Sequence, residues 1–102
     1  MNPAELKYQS TGSGLKGAVL SQMFGKPCFK VNGKAFLCYF EESMVFKLPK
    51  ESLDEALNLP GAKLFDPSGK NRPMKEWVQI PYKYDHCWAI YSEVAFNYVS
   101  AV

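Results

Sequence analysis

Histidine is nearly absent: His86 is the only one in 102 residues, and the three cysteines, Cys28, Cys38 and Cys87, form no Cys-x-x-Cys spacing. This set offers neither the ligand spacing of a structural zinc site nor the even count of a disulfide framework, so no metal, other cofactor or disulfide is expected. The cysteines read as reduced, mostly buried small hydrophobes. No apolar run approaches the roughly 20 residues of a spanning helix, and no membrane partner is expected. Met1-Asn2-Pro3-Ala4-Glu5 lacks the basic start and apolar stretch of a signal peptide, so a cytoplasmic location is expected. Charge of one sign is scarce too. Twelve Lys and Arg against ten Asp and Glu leave +2, and the pI near 8.4 falls below the value of about 9 typical of a nucleic-acid footprint. There is no internal repeat or heptad.

What the chain has is apolar bulk, 47% hydrophobic residues with 15% aromatic, enough for one domain with its own core. The clearest local signal is Asn32-Gly33 between apolar runs. A type I′ hairpin turn needs positive φ at both central residues, and these two tolerate it best. An uninterrupted two-residue hairpin pairs Val31 with Lys34, Phe29 with Phe36, Cys28 with Leu37, Pro27 with Cys38 and Lys26 with Tyr39. Alternation then puts Phe29, Val31, Phe36, Cys38 and Phe40 on a core face, and Lys26, Cys28, Lys30, Ala35, Leu37 and Tyr39 on the other. In that register Cys28 and Cys38 point apart, which disfavours a bridge between them.

Around the hairpin, Asn2-Pro3-Ala4-Glu5 reads as a helix start, and Ser10-Thr11-Gly12-Ser13-Gly14 as the break that keeps this helix short. Residues 1–16 are thus expected to be a short helix and linker, and residues 17–102 one domain. Residues 18–23 read as a strand. Met44 to Leu48 form another, but a two-residue turn at Glu42-Ser43 would leave Phe46 on the lysine face, so a longer turn or a bulge is expected there. Ser52-Leu53-Asp54-Glu55 reads as a capping box opening a two-turn helix. Ala62 to Phe65 and Lys75 to Ile80 read as strands. Asp85 is expected to cap a last helix whose apolar stripe includes Trp88, Tyr91, Ala95, Tyr98 and Val102. Together these give an α+β, two-layer sandwich: an antiparallel sheet of about five strands with helices packed on one face.

Several of these motifs, taken in order, resemble a family. Met23-Phe24-Gly25, Asn32-Gly33-Lys34-Ala35-Phe36, Phe46-Lys47-Leu48, Trp77 with Pro81 and the closing amphipathic helix are similar to the N-terminal domain of the TfoX (Sxy) competence regulators and to the related YjbR-like small proteins. The resemblance covers about residues 17–100. It departs at Lys26-Pro27-Cys28, where the TfoX pattern usually carries a second glycine and an aromatic, which puts the chain nearer the uncharacterised single-domain relatives. The resemblance implies an antiparallel sheet flanked by helices, a cytoplasmic bacterial protein, and no catalytic residues to carry over. A DNA-binding label sometimes attaches to YjbR-like proteins, with no residue motif that transfers it here.

Chemistry-bearing residues are few. His86 sits between Asp85 and Cys87, but adjacent helical positions point apart and no orienting group is evident, so it reads as a surface or capping residue. Ser68-Gly69-Lys70 lacks P-loop spacing and precedes no helix; Lys70 and Arg72 remain a candidate anion loop. The sharper candidate is the non-core sheet face, where Lys26, Lys30, Tyr39, Lys75 and Trp77, with Lys47 if the register allows, would interleave cations with aromatics. Such a surface suits stacked single-stranded nucleic acid. It equally suits a homodimer or a protein partner, or cover by the chain's own N-terminal segment. The near-cancelling charge makes a non-enzymatic protein-interaction or self-association module the leading expectation, with nucleic acid the alternative.

Overall fold

The structure, a computed structural model, describes residues 2–101. Met1 and Val102, the last position of the expected helical stripe, lie outside the described residues. The order is α1 (Pro3–Ser13), β1 (Val19–Met23), β2 (Lys26–Val31), β3 (Lys34–Phe40), β4 (Ser43–Lys47), α2 (Lys50–Leu57), β5 (Lys63–Phe65), β6 (Met74–Pro81), a 3-10 turn (Tyr82–Cys87) and α3 (Trp88–Ser100). The fold is α+β, as expected. One antiparallel sheet contains six strands in the order β1-β2-β3-β4-β6-β5. No helix among the described residues is long and apolar enough to cross a membrane.

Each of the three α-helices among the described residues buries side chains in one core cluster: Ala4 and Tyr8 from α1, Leu53 and Ala56 from α2, Trp88, Tyr91, Ala95 and Val99 from α3. Their partners on the sheet include Phe29, Val31, Phe36, Met44, Phe46, Val78 and Ile80. A separate, smaller cluster of Cys28, Cys38, Val45, Phe65 and Trp77 contains no helical residue. The sheet therefore has a helix-covered face and an open face.

Which residue goes to which face is set by one extra residue in β3. Phe29 pairs with Leu37 and Lys30 with Ala35, leaving Phe36 as a bulge. Phe36 and Leu37 both turn toward the helices and are fully buried there. Beyond the bulge the alternation expected from the sequence is inverted. Leu37 and Tyr39 join the helix side, while Cys38 and Phe40, expected in the main core, belong to the open-face cluster. Cys28 pairs with Cys38 rather than with Leu37.

The bulge also settles the third turn. Glu41 and Glu42, at φ 47° and 59°, form a two-residue turn that pairs Phe40 with Ser43 and Leu37 with Phe46. With Leu37 already on the helix side, Phe46 arrives there as well. The irregularity expected near Glu41-Glu42-Ser43 thus lies one hairpin earlier. Moving Leu37, Met44 and Phe46 into the core is worth roughly 1.5–3 kcal/mol each, against about 1 kcal/mol for a disturbed ladder hydrogen bond.

Helix boundaries also differ from expectation. Asn2 caps α1 as expected, its side-chain oxygen accepting the Glu5 N–H at 2.8 Å. The helix then runs through Ser10-Thr11-Gly12-Ser13 instead of breaking, because Gly12 lies against β2: a Cβ there would sit 2.2 Å from Cε2 of Phe29. The glycine permits close approach rather than a turn. Ser52 is inside α2, whose N-cap is Pro49 without a side-chain bond, so the capping box does not form. Nor does Asp85 cap α3, which continues directly from the 3-10 turn.

Two stability measurements test this packing. Gly12→Ala would ordinarily favour a helix by up to about 1 kcal/mol; here the clash with Phe29 should destabilise the fold by roughly 1–3 kcal/mol in urea unfolding. A gain would mean that α1 stands off β2. Conversely, replacing Glu41-Glu42 with Asn-Gly relieves two side chains held at positive φ and should stabilise by about 1 kcal/mol or more; an unchanged midpoint would contradict the turn.

Candidate functional site

The residues singled out on the sheet face do not all share it. Lys26, Cys28 and Lys30 alternate onto the open face of β2, and Lys26 Nζ stands 4.7 Å from the centroid of the Phe40 ring. Lys47 pairs with Trp77 across β4 and β6, and Lys75 is two residues along β6 on the same side. Tyr39 is the exception. Past the bulge it faces the helices, its ring 5.4 Å from that of Tyr8 and its hydroxyl donating to Asn2 Oδ1 at 3.2 Å. Trp77 is on the open side but only 6% exposed, packed in the small apolar cluster. The alternation of cations with stackable rings is therefore broken: one ring is turned away and the other sunk.

One row crosses all six strands on the open face: Ser21, Cys28, Cys38, Val45, Gln79 and Lys63. Its centre is apolar or thiol, and lysines surround it. The lysine stems can lie over the apolar strip while the ammonium groups reach water. Burial pushes the Cys38 thiol up to about 12, with Cys28 beside it adding to the effect. Burial also raises the Cys28 thiol, opposed by the nearby Lys30 ammonium.

Lys70 and Arg72 lie exposed on the loop between β5 and β6, but that loop is organised around its own carboxylate. Asp66 accepts the Ser68 hydroxyl at 2.6 Å and the backbone N–H groups of Ser68, Gly69 and Arg72 at 3.1, 3.2 and 3.1 Å. The hydroxyl bond leads in holding the Asp66 carboxyl below its ordinary range, with the three amides helping. The donors that would cradle a phosphate are thus directed at a built-in anion, and Lys70 and Arg72 are left as surface cations. His86 is exposed on the 3-10 turn, its ring 6.5 Å from that of Tyr84. Among the described residues no three His, Cys, Asp or Glu side chains gather to hold a metal.

Exposed apolar side chains lie elsewhere: Ile90 on α3, 64% exposed, and a group at the outer edge of the sheet. Val19, Leu20 and Phe24 are 62%, 59% and 62% exposed, and Leu6 of α1 is 54% exposed. Glu5 and Gln9 of α1 and Leu20, Ser21, Gln22 and Pro27 of β1 and β2 line a groove of about 540 Å³. This edge does not follow from which face a residue takes; it depends on which strand ends the sheet. The uncharged run Val19 to Met23 was the available signal. Comparison with protein-family models, with curated proteins and with solved structures finds no match.

The Asp66 cage gives a pH-dependent expectation. Its folded-state pKa lies below the unfolded one, so the loop's hydrogen bonds are fully present above the unfolded carboxylate value and are lost as pH falls through the folded one. Protection of the Ser68, Gly69 and Arg72 amides against exchange, taken relative to the base-catalysed intrinsic rate at each pH, should be high at neutral pH, lower in acid, and low at both pH values in Asp66→Ala. Equal protection in the variant would show that the carboxylate does not order the loop.

Proposed function

We propose that this chain is a non-enzymatic binding module acting by protein–protein association, and in particular by pairing with a second copy of itself along β1. We further infer that it belongs with the TfoX N-terminal and YjbR-like small bacterial proteins, in the cytoplasm; this rests on the residues quoted above. One observation carries the association: β1 ends the sheet with no device that blunts an edge. It has no lysine, no proline and no bulge, and its two neighbouring apolar side chains, Val19 and Leu20, are both exposed. The opposite edge differs. β5 is three residues long, carries Lys63 and is irregular between Leu64 and Phe65.

The register specifies how two edges would meet. A two-residue turn at Phe24-Gly25 makes Met23 and Lys26 a hydrogen-bonded pair, so Ser21 with Cys28 and Val19 with Lys30 are bonded as well. The main-chain groups of Leu20 and Gln22 therefore point outward. In an antiparallel arrangement centred on Ser21, Leu20 of one copy meets Gln22 of the other, each pair exchanging both bonds, and Val19 falls opposite Met23. No like charges oppose each other.

Nucleic acid is the second reading, favoured by Lys26, Lys30, Lys47 and Lys75 sharing a face. It now rests on charge alone, since neither Tyr39 nor Trp77 offers a free ring there.

Light scattering through the micromolar range tests the pairing. The wild type should form dimers, and Gln22→Pro, which removes an outward N–H without touching the β1–β2 ladder, should remain monomeric with unchanged circular dichroism. A monomeric wild type, or a dimer indifferent to Gln22→Pro, overturns it. If a monomer instead bound single-stranded DNA in a salt-sensitive manner, the second reading would take its place.

A further inference from the structure

Cys28 and Cys38 are partners across β2 and β3, and the register shows what kind. Two-residue turns at Phe24-Gly25 and Glu41-Glu42 make Ser21 with Cys28, and Cys38 with Val45, hydrogen-bonded pairs. The main-chain groups of Cys28 therefore point to β1 and those of Cys38 to β4. Between themselves the two residues form a non-hydrogen-bonded pair, the kind with the closer spacing, about 4.5 Å between Cα atoms. Disulfides span Cα separations of about 4.4–6.8 Å. Both thiols are free and belong to the same open-face cluster. Although buried, they lie on the side that no helix of the described residues covers, in a cluster against which the partly buried Met23, Ala35, Phe40 and Met74 pack.

We propose that Cys28 and Cys38 form a thiol–disulfide exchange site, closing to a cross-strand disulfide in the folded chain by reaction with a low-molecular-weight disulfide of the glutathione type. Cys28 loses its proton and attacks one sulfur of that disulfide, forming a mixed disulfide and releasing one thiolate. Cys38 then loses its proton and attacks the Cys28 sulfur, closing the Cys28–Cys38 bond and releasing the second thiolate. The two protons end on the two released thiols; the protein is oxidised by two electrons and the small disulfide reduced by two. Burial raises both thiols, but at Cys28 the Lys30 ammonium opposes it while at Cys38 the neighbouring Cys28 adds to it, so Cys28 goes first. Cys87, on the 3-10 turn and packed on the helix side, has no cysteine opposite and serves as an internal control.

The test uses the full chain, folded, with glutathione disulfide, followed by acid quenching, alkylation and peptide mapping. The expected product is a chain with no disulfide to another copy, lighter by two hydrogens with Cys28 linked to Cys38, circular dichroism unchanged, and both thiols recovered on adding reduced glutathione. Cys38→Ala should instead trap a lasting glutathione adduct on Cys28, and Cys28→Ala should lose the link altogether. The proposal is overturned if Cys28 and Cys38 stay reduced while Cys87 takes up glutathione. Separate adducts on both thiols, or links only between copies, overturn it equally.

Discussion

The fold depends on one disruption of strand alternation, the bulge at Phe36. A strand carries its facing pattern forward without limit, so a single added residue reassigns every side chain after it. Here that reassignment reaches beyond β3, because the two-residue turn at Glu41-Glu42 passes the phase to β4, and β6 takes its register from β4. Leu37, Tyr39, Met44, Phe46, Val78 and Ile80 face the helices, while Cys38, Phe40, Val45 and Trp77 face away. A strictly alternating β3 with the same turns would put the two halves of the sheet out of phase, with Phe29 and Phe36 under the helices but Met44 and Phe46 on the opposite side. No helix could cover both sets, so the bulge is what permits a single core.

The turns are the second constraint, and their strictness transmits the first. Phe24-Gly25, Asn32-Gly33 and Glu41-Glu42 all have positive φ at both positions, matching the twist of the strands they join. Only the second announces itself chemically. In the third, two carboxylate residues occupy a conformation they do not favour, held by the pairing of β3 with β4 and by the Tyr82 N–H, which donates to the Glu42 carbonyl at 3.2 Å. Local preference yields here to the packing of Met44 and Phe46, whose burial together outweighs the cost of two left-handed residues.

This explains which parts of the molecule could be read from residues alone. Asn32-Gly33, the capped start of α1 at Asn2-Pro3, the β6 alternation and the stripe of α3 are local signals, and the α+β class follows from them. The bulge is not local. Lys34-Ala35-Phe36-Leu37-Cys38-Tyr39-Phe40 reads equally well in either phase, since nearly every side chain in it can be buried, and only the requirement to agree with β4 selects one. The extent of α1 escaped for a related reason: Gly12 looks like a break until Phe29, packed against its Cα, is in view. The expected binding face failed at Tyr39 for want of the bulge. It failed at Trp77 because the residues that cover that ring come from elsewhere in the chain. Lysine spacing, which needs only the strand period on β2 and β6, was legible.

The lysines themselves have a use that needs no ligand. The open face carries an apolar cluster of Cys28, Cys38, Val45, Phe65 and Trp77 and has no helix to seal it. Lysine suits such a place because its stem is hydrocarbon and its head is strongly hydrated, so one residue can shield apolar surface and still face water. Lys26 illustrates the arrangement, its ammonium standing over the Phe40 ring while Phe40 packs edge-on against Phe65. A carboxylate on a shorter stem would cover less and would meet the ring face with the wrong sign. The positive character of this side therefore follows from how a two-sided sheet with helices on one side keeps its other side dry. A row of lysines on such a sheet calls for a binding partner only where something beyond the charge, a free ring or an unblunted edge, points to one.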